Sequence, residues 1–435
     1  MYLCGMSPKT IAFHNFGCKV NFAETSALSR QFHDKGYELV DFRNEADIYV
    51  ISTCVVTAVA EKKCRAAIRQ AHRLNPSAKI AVIGCFPELR HDEIAKIEGV
   101  SVILGHSAKF GLLEEIEKLD NFPSHDHEIH LNEDVFIPSF SYGDRTRSFL
   151  KIQDGCDYYC SYCTIPLARG HSRSDTIGNV IKNIKEISEN GIREIILTGV
   201  NIGDFGRHNN ESFLGLLHAI EMMEEIPRVR ISSIEPDLLS PEIIDFMAQS
   251  KKFMPHFHIP LQSGTDTVLK AMKRRYDMEL FASRIKKIRS VLPDACIASD
   301  IIAGFPGESD NEFMDTMTFV ENLDISYLHV FTYSKRENTL ASKITNVVQD
   351  KVKKERSDAL HLLSEKKKYA FYLKNQGRES KVLFESDNSN GWMHGFTENY
   401  IRVKTKFNPE LVNQIVPVKL VNLEDDMTYS FEYNY

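Results

Sequence analysis

The sequence has no long hydrophobic run. Its longest apolar stretch, Ile48 to Ala60, is interrupted by polar residues and too short to span a bilayer. The N-terminal MYLCGMSPKT lacks the basic-then-apolar pattern of an export signal, so a cytoplasmic location with no membrane partner is expected. Low-complexity tracts and solenoid-type repeats are missing too. With 43% hydrophobic and 26% charged residues, this excludes collagen-like, coiled-coil and mainly disordered classes. Nor is there an excess of positive charge. The net charge of −7 argues against a protein that coats nucleic acid indiscriminately, while allowing a local basic face. What remains is an ordinary globular chain whose 435 residues exceed one hydrophobic core, so two or three domains are expected.

Nine cysteines, an odd number, argue against a disulfide framework and for thiol or metal chemistry. Their placement depends on the organisation of the chain. Short β-branched runs at Thr10–Phe16, Asp47–Ser52, Lys79–Gly84 and Ser101–Leu104, each followed by an amphipathic stretch, predict an open parallel α/β sheet over residues 1–122. A polar segment, 123–147, reads as a linker. Strand candidates then recur at Phe149–Gln153, Glu194–Thr198, Val229–Ser233, His256–Pro260, Cys296–Ile302 and Tyr327–Thr332. Six βα units over 148–372 suggest a partial (β/α) barrel with its site at the C-terminal strand ends. A basic helix near Asp350–Leu373 closes this region. Residues 373–435 follow as a small all-β barrel, with strands at Ser380–Ser386, Tyr400–Thr405, Gln414–Leu420 and Met427–Phe431. From Lys335 to Lys381 there are 13 Lys or Arg against 6 Asp or Glu, either a solvated helix face or a phosphate-binding one.

Two cysteine sets stand out. In DGCDYYCSYC, Cys156, Cys160 and Cys163 follow the first barrel strand directly. Three thiolates cannot saturate a four-iron cluster, and the iron left over can take a further ligand. A closed Cys3His zinc site using His171 is the alternative, although zinc ribbons more often use two separated pairs. Cys18, Cys54 and Cys85 are distant in sequence, yet each ends a predicted strand, where parallel sheets bring ligands together. Any one of them taken alone reads as a buried small hydrophobe. Cys296 reads as core, Cys64 as a helix residue and Cys4 as an unstructured terminal residue.

The spacing CxxxCxxC at the head of a (β/α) barrel resembles the signature of radical S-adenosylmethionine (SAM) enzymes. The paired trios resemble the methylthiotransferase family across essentially the whole chain. Gly17-Cys18-Lys19-Val20-Asn21 with Glu24, Thr53-Cys54-Val55-Val56-Thr57 and the block Arg69 to Cys85 are most similar to the branch that modifies N6-threonylcarbamoyladenosine in tRNA. Barrel motifs agree: Leu197 to Asn201, Ile231 to Pro236, His258 to Gly264, Met272 to Tyr276, and Asp300 to Glu308.

The resemblance implies two [4Fe-4S] clusters, one on Cys18, Cys54 and Cys85 and one on Cys156, Cys160 and Cys163. It further implies two SAM molecules per turnover, one methylating sulfur at the auxiliary cluster and one supplying a radical for an inert C2–H bond of adenosine 37. Tyr162 matches an aromatic near the SAM adenine. Gly199 and Asn201 suit the cofactor's amino end, Ser233 and Glu235 its ribose, and Gly304 a bend under the adenine, while a plain βα turn is the alternative for each. Arg169 and Arg173 suit a carboxylate or phosphate, or else plain solvation. The C-terminal barrel resembles the family's RNA-binding (TRAM-like) module. Its Trp392, Phe396 and Tyr400, with Lys366, Lys367 and Lys368 nearby, are candidates to grip a tRNA anticodon stem-loop, with at least one aromatic expected in the core. An electron donor such as a flavodoxin or ferredoxin and a sulfur source are implied partners. An isopentenyl-type adenosine, a ribosomal protein side chain, or a non-catalytic zinc-bearing RNA-binding protein are the competing readings. Two departures from the family pattern are visible: Tyr333 to Thr339 lacks the usual Pro-Gly, and Trp392-Met393-His394-Gly395 stands where a glycine-richer loop is usual.

Overall fold

The computed structural model describes residues 8–55, 58–121, 135–143 and 145–434. Cys4 and Thr57 lie outside them. The chain divides into two compact units. One comprises the chain up to Ser141 with Asp154–Asp157 and Cys163–Arg173, and the other comprises Tyr142–Gln153, Tyr158–Tyr162 and Ser174–Tyr435.

The first unit runs β1 (Thr10–Asn15), α1 (Lys19–Asp34), β2 (Glu38–Val40), β3 (Ile48–Thr53), α2 (Ala58–Leu74), β4 (Lys79–Gly84), α3 (Cys85–Ala95), β5 (Val100–Leu104) and α4 (Leu112–Asn121). The strands form a parallel sheet in the order β2-β1-β3-β4-β5. β2, a three-residue edge strand, is too short to carry a pattern that predicts it. The central strands are apolar on both faces because both are covered. Ile11, Ile48, Val50, Ala81 and Ile83 pack with Leu28 and Phe32 of α1, whereas Tyr49, Ile51, Ile80 and Val82 pack with Ile68 and Ala71 of α2. The chain therefore leaves β1 toward one face and β3 toward the other, which opens a crevice at their C-terminal ends.

Part of the expected linker is described, and it is not a solvated connector. In β6 (Ser139–Phe140), Phe140 is buried. Its carbonyl accepts from Arg30 Nη2 at 2.7 Å, and its ring lies 4.8 Å from the same guanidinium.

In the second unit, six parallel strands build the partial barrel: β7 (Ser148–Lys151), β10 (Glu194–Thr198), β11 (Arg228–Ile231), β12 (His256–His258), β13 (Cys296–Ala303) and β14 (Tyr327–Thr332). Strands β7, β10 and β11 pair, as do β12, β13 and β14. Bridges Val229↔Phe253 and Ser233↔His258 join the two halves. The cysteine loop, of which Asp154–Asp157 and Cys163–Arg173 belong to the first unit, carries short elements: β8 (Gln153–Asp154), α5 (Ile165–Arg169) and β9 (Arg173–Ser174). Helices α6 (Ile177–Glu189), α7 (Phe213–Glu221), α8 (Pro241–Gln249), α9 (Asp266–Ala271), α10 (Met278–Val291) and α11 (Asp310–Asn322) follow the strands. Polar side chains placed just ahead fix where five of them start. Thr176, Ser212, Ser240, Asp277 and Ser309 each accept from a first-turn N–H. Asn338 takes φ +64° in the loop after β14, a conformation open to Asn, so the loop turns there without the Pro-Gly.

Helix α12 (Asp350–Leu373) leads to a closed barrel of five strands rather than the four expected: β15 (Glu379–Phe384), β16 (Trp392–Phe396), β17 (Arg402–Lys406), β18 (Ile415–Leu423) and β19 (Tyr429–Tyr433), in the order β15-β16-β17-β19-β18. The additional strand, β16, is the segment read as a loop. Its Met393 is fully buried with Val382, Phe384, Val403, Val418 and Leu420.

A buried ion cluster ties this barrel to the (β/α) strands within the same unit. Glu194, inaccessible to solvent, accepts from Arg230 Nε at 2.8 Å and forms an ion pair with Arg228, whose Nε lies 2.9 Å from its second oxygen. Both arginines donate onward to the carbonyl of Thr397. Burial pushes Glu194 upward, but Arg230, Arg228 and Arg147 outweigh it and hold its pKa at about 2. Among the described residues no helix is long and apolar enough to cross a membrane.

Candidate functional site

The sheet trio sits where the crevice opens. Cys18 is the N-cap of α1, Cys54 follows β3, and Cys85 begins α3 directly after β4. Since β1, β3 and β4 are neighbours, the three residues stand side by side at one sheet edge. Gly84, at φ +103°, makes the reversal that starts α3 on Cys85. The trio is graded in exposure, from exposed Cys18 through half-buried Cys54 to buried Cys85.

Beneath it lies a charged network that sequence reasoning missed. Arg169 is 3% exposed and not solvated. Its Nε–H donates to Cys85 Sγ at 3.2 Å, Nη1 to Asp154 Oδ1 at 2.8 Å, and Nη2 to Glu24 Oε2 at 3.1 Å and to Asn21 Oδ1. Lys109 Nζ donates to Glu24 Oε2 at 2.5 Å and lies 3.1 Å from His106 Nδ1, whose Nε2 is 2.9 Å from Asp154 Oδ2. Arg173 joins the same network, with Nη2 3.1 Å from His106 Nε2 and Nη1 donating to the Arg169 carbonyl at 2.7 Å. Burial lowers His106 to about 4, helped by Lys109 and opposed by Asp154. Burial also raises the Cys85 thiol, while Arg169 and Lys109 pull it down. The cationic donor on the sulfur thus offsets part of the cost of charging a buried thiol. The signal in the sequence was slight: Glu24 and Asn21 share one face of α1 with Leu28, but nothing local names Arg169 as their partner.

The loop trio is set by chain connectivity. Gly155, at φ +68°, packs so closely on the carbonyl of His171 that a Cβ would lie 1.8 Å from its oxygen. Cys156, Cys160 and Cys163 are all half-buried. His171 is exposed, with Nδ1 3.0 Å from Asp157 Oδ1.

In the barrel, Arg274 Nη1 donates to Cys160 Sγ at 3.1 Å, Nη2 to Glu235 and Nε to Tyr276 Oη at 3.2 Å. Burial, together with Asp237, Asp300 and Asp204, lifts the Glu235 carboxyl to about 7 against the pull of Arg274. Tyr162 packs 6.4 Å from Phe305 in an apolar cluster with Tyr333 and Ile302. Ser233 is half-buried beside His258, Gly199 lies against Gln153, and the Gly304 N–H donates to Glu308 Oε2 at 3.0 Å. Asn201 Nδ2 donates to Asp204 Oδ2 at 2.9 Å, while its Oδ1 is buried with no partner among the described residues. A buried acceptor of this kind fits the ammonium of a SAM-type cofactor, and three half-buried thiols in one loop fit a cluster that is open on one iron.

Two sequence-based expectations about RNA change. Phe396 and Tyr400 stack on each other at 4.7 Å, with Arg147 over Phe396 at 4.8 Å and Arg230 over Tyr400 at 4.9 Å. They pack the barrels together and are not bare stacking platforms. Lys367 Nζ caps the carbonyls of Glu321 and Leu323 at 3.1 and 2.8 Å. Lys353 and Arg356 of α12 are buried as well, so much of the basic surplus serves the fold. Lys351, Lys354 and Lys366 of α12 stay exposed, and a second basic row lies on β17, where exposed Arg402, half-buried Lys404 and exposed Lys406 pair in register with Phe396, His394 and Trp392.

Residues 10–105 match the uncharacterized protein family UPF0004, and residues 150–320 the Radical SAM superfamily. The chain is 40% identical over 424 residues to the threonylcarbamoyladenosine tRNA methylthiotransferase MtaB of Bacillus subtilis, covering 95% of this chain and 94% of that protein. The chain belongs to the radical SAM methylthiotransferase family. The MtaB protein of Aquifex aeolicus is 35% identical, with 91% of this chain and 96% of that one covered. A tRNA-2-methylthio-N(6)-dimethylallyladenosine synthase of Clostridium perfringens is 30% identical, with 96% of each covered. The solved radical SAM methyltransferase TsrM of Kitasatospora setae shares the fold at TM-score 0.56, with 13% identity over 77% of each chain. As a radical SAM tRNA methylthiotransferase, the enzyme uses SAM and a 4Fe-4S cluster.

Proposed function

We propose that the enzyme methylthiolates C2 of N6-threonylcarbamoyladenosine at position 37 of tRNA, with two [4Fe-4S] clusters and two SAM molecules per turnover. The observation that carries this reading is the pairing of two thiol trios, each with an arginine donating to one of its sulfurs: Arg169 on Cys85 and Arg274 on Cys160. Cys156, Cys160 and Cys163 would hold the radical SAM cluster, and Cys18, Cys54 and Cys85 the auxiliary one. When bound, the reduced cluster and SAM supply the carbon radical that an inert C–H bond requires. The protein's own groups position and shield. Asn201 Oδ1 would accept from the cofactor's amino group, Ser233 and Glu235 would bond its ribose, and Tyr162 and Gly304 would line its adenine. Arg169 donates to Cys85 Sγ and offsets part of the burial that disfavours its charged form, and its ion pairs with Glu24 and Asp154 hold that donor in place.

On the closed C-terminal barrel, the Arg402, Lys404 and Lys406 row with Trp392 is the phosphate-gripping and stacking face, with Lys406 Nζ 4.0 Å from the indole centre. The choice of the threonylcarbamoyl substrate rests on the names of the relatives that are 40% and 35% identical. A flavodoxin or ferredoxin would supply electrons, a separate protein or sulfide the sulfur, and the cytoplasm the tRNA. The deciding experiment incubates the reconstituted enzyme with tRNA bearing N6-threonylcarbamoyladenosine and, separately, with tRNA bearing N6-dimethylallyladenosine, and digests each product to nucleosides. The 2-methylthio derivative is expected. Its appearance only on dimethylallyladenosine would transfer the assignment to that substrate.

A further inference from the structure

Three adjacent barrel strands bring together a polar cluster that the cofactor reading does not use. His258 ends β12, Asp300 lies on β13, and His329 lies on β14 opposite Asp300 in register. A ring nitrogen from each histidine and a carboxylate oxygen of Asp300 lie within 4.8 Å of one another. His258 Nε2 is 2.7 Å from Asp300 Oδ1, and the two imidazole centroids are 4.9 Å apart.

Strand alternation shows which way the cluster faces. On β13, Ser299, Ile301 and Ala303 are buried, whereas Asp300 and Ile302 on the opposite face are only partly so. On β14, Leu328 is buried while His329 and Phe331 are exposed, Phe331 at 44%. The Asp300 face is the inner one: Ile302 packs in the cluster of Tyr162 and Phe305, and the charge of Asp300 acts on Glu235. The lumen therefore offers, side by side, an exposed aromatic ring, an exposed imidazole, and a carboxylate whose first oxygen is engaged by His258.

We propose that His329, with Asp300 and His258 behind it, reads the polar substituent on N6 of the target adenosine while Phe331 stacks the base. This inference rests on the tRNA methylthiotransferase reading above. A threonylcarbamoyl group carries a carboxylate and carbonyl that accept from an imidazole N–H, and an N–H and hydroxyl that donate to a carboxylate oxygen. A dimethylallyl group offers neither. Seated on this wall, it would strip water from the two imidazoles and the carboxylate and return no hydrogen bond, the arrangement by which a polar site rejects an apolar analogue. No bond to the substrate is made or broken by these residues; they are specificity determinants.

The test uses the full, reconstituted chain under anaerobic conditions and three anticodon stem-loops, carrying N6-threonylcarbamoyladenosine, N6-dimethylallyladenosine or plain adenosine. Stem-loop affinity and kcat/KM for methylthiolation are compared for wild type, His329→Phe, His329→Gln and Asp300→Asn, with thermal melting to confirm folding. His329→Phe is expected to cut the preference for the threonylcarbamoyl stem-loop over the dimethylallyl one by roughly 10- to 100-fold, mainly through affinity and KM, with partial recovery in His329→Gln. Wild-type discrimination retained in a folded His329→Phe enzyme overturns the inference and leaves the function standing. A wild type that methylthiolates no threonylcarbamoyl stem-loop overturns the function, and the inference with it.

Discussion

The two thiol sets are assembled in opposite ways. Cys156, Cys160 and Cys163 sit within one short loop, so their proximity is a property of the local chain, and few distant residues are needed to gather them. Cys18, Cys54 and Cys85 meet only when β1, β3 and β4 pair, and the charges beneath them close only when Arg169, well over a hundred residues from Glu24, enters the network. A local site can be read from spacing and tolerates imperfect surroundings. A site made by the fold inherits the stability of the fold and fails with it. Substitutions in the loop set should therefore act mainly on chemistry, and those in the sheet set on structure as well.

The largest effect separates the two sets by function. Replacing Cys156, Cys160 and Cys163 with Ala should lower bound iron from about eight to about four per chain and abolish reductive cleavage of SAM. Replacing Cys18, Cys54 and Cys85 should lower iron equally and abolish methylthio product, yet leave SAM cleavage detectable. Iron and sulfide analysis with a 5′-deoxyadenosine assay reads both. Loss of all iron in either variant would mean that the sets are not separate centres.

Next in size is Arg169→Met, which leaves Glu24 and Asp154 buried with a cation removed. Losing one partner of such a network costs about 3–5 kcal/mol, measurable by urea unfolding of the apo protein. Arg169→Lys keeps the charge but not the fork and should lose less. The corresponding change at the local site, Arg274→Met, strips its donor from Cys160 but leaves that trio's gathering to the loop, so its effect should fall on the cluster's spectroscopic signature more than on iron content. Equal losses of bound iron in Arg169→Met and Arg274→Met would mean that the two sets are not assembled differently.

What the sequence shows follows the same division. Spacing in DGCDYYCSYC and β-branched runs with intervening amphipathic stretches are local signals, and they predict the cluster loop, the central parallel strands and the six barrel strands. The edge strand Glu38–Val40 and the strand Trp392–Phe396 carry no such pattern, the latter because Met393 and Gly395 face a small closed core while the residues that alternate with them, Trp392, His394 and Phe396, all carry rings. The roles of Arg169, Lys109 and Arg274 are invisible locally because an arginine or lysine inside a motif looks the same whether it is solvated or paired with a remote carboxylate. Phe396 and Tyr400 likewise read as base-stacking aromatics until Arg147 and Arg230 are found over their rings.

Glu194 extends the contrast to pH. Its folded pKa of about 2 lies below the ordinary carboxylate value of 4.5, so the unfolded chain binds the proton more readily. The stabilisation is complete above about 4.5 and is lost as pH falls toward 2, on the order of 3 kcal/mol for this one group. Glu194→Gln should be less stable than wild type at neutral pH, and the gap should narrow over that acid window. A constant gap would mean that the three arginines do not depress this carboxyl.

The smallest effect is expected on the outer face of the C-terminal barrel, where charge is presented rather than consumed. Arg402, Lys404 and Lys406 alternate along β17 with Lys406 opposite Trp392, and Lys404 also meets a carboxylate, Asp426, at 2.7 Å. Surface pairs of this kind contribute at most about 1 kcal/mol, so replacing all three with Ala should barely move the melting temperature. Binding should respond instead. Each phosphate that is no longer neutralised reduces the slope of log affinity against log salt by about 0.7–0.9, so the triple variant should bind anticodon stem-loops more weakly and with a slope flatter by about two. The same measurement on Lys367→Ala should instead lower stability, because that ammonium caps the carbonyls of Glu321 and Leu323. If Lys367→Ala flattened the salt slope and the β17 variant did not, the RNA would lie along α12 rather than across the closed barrel.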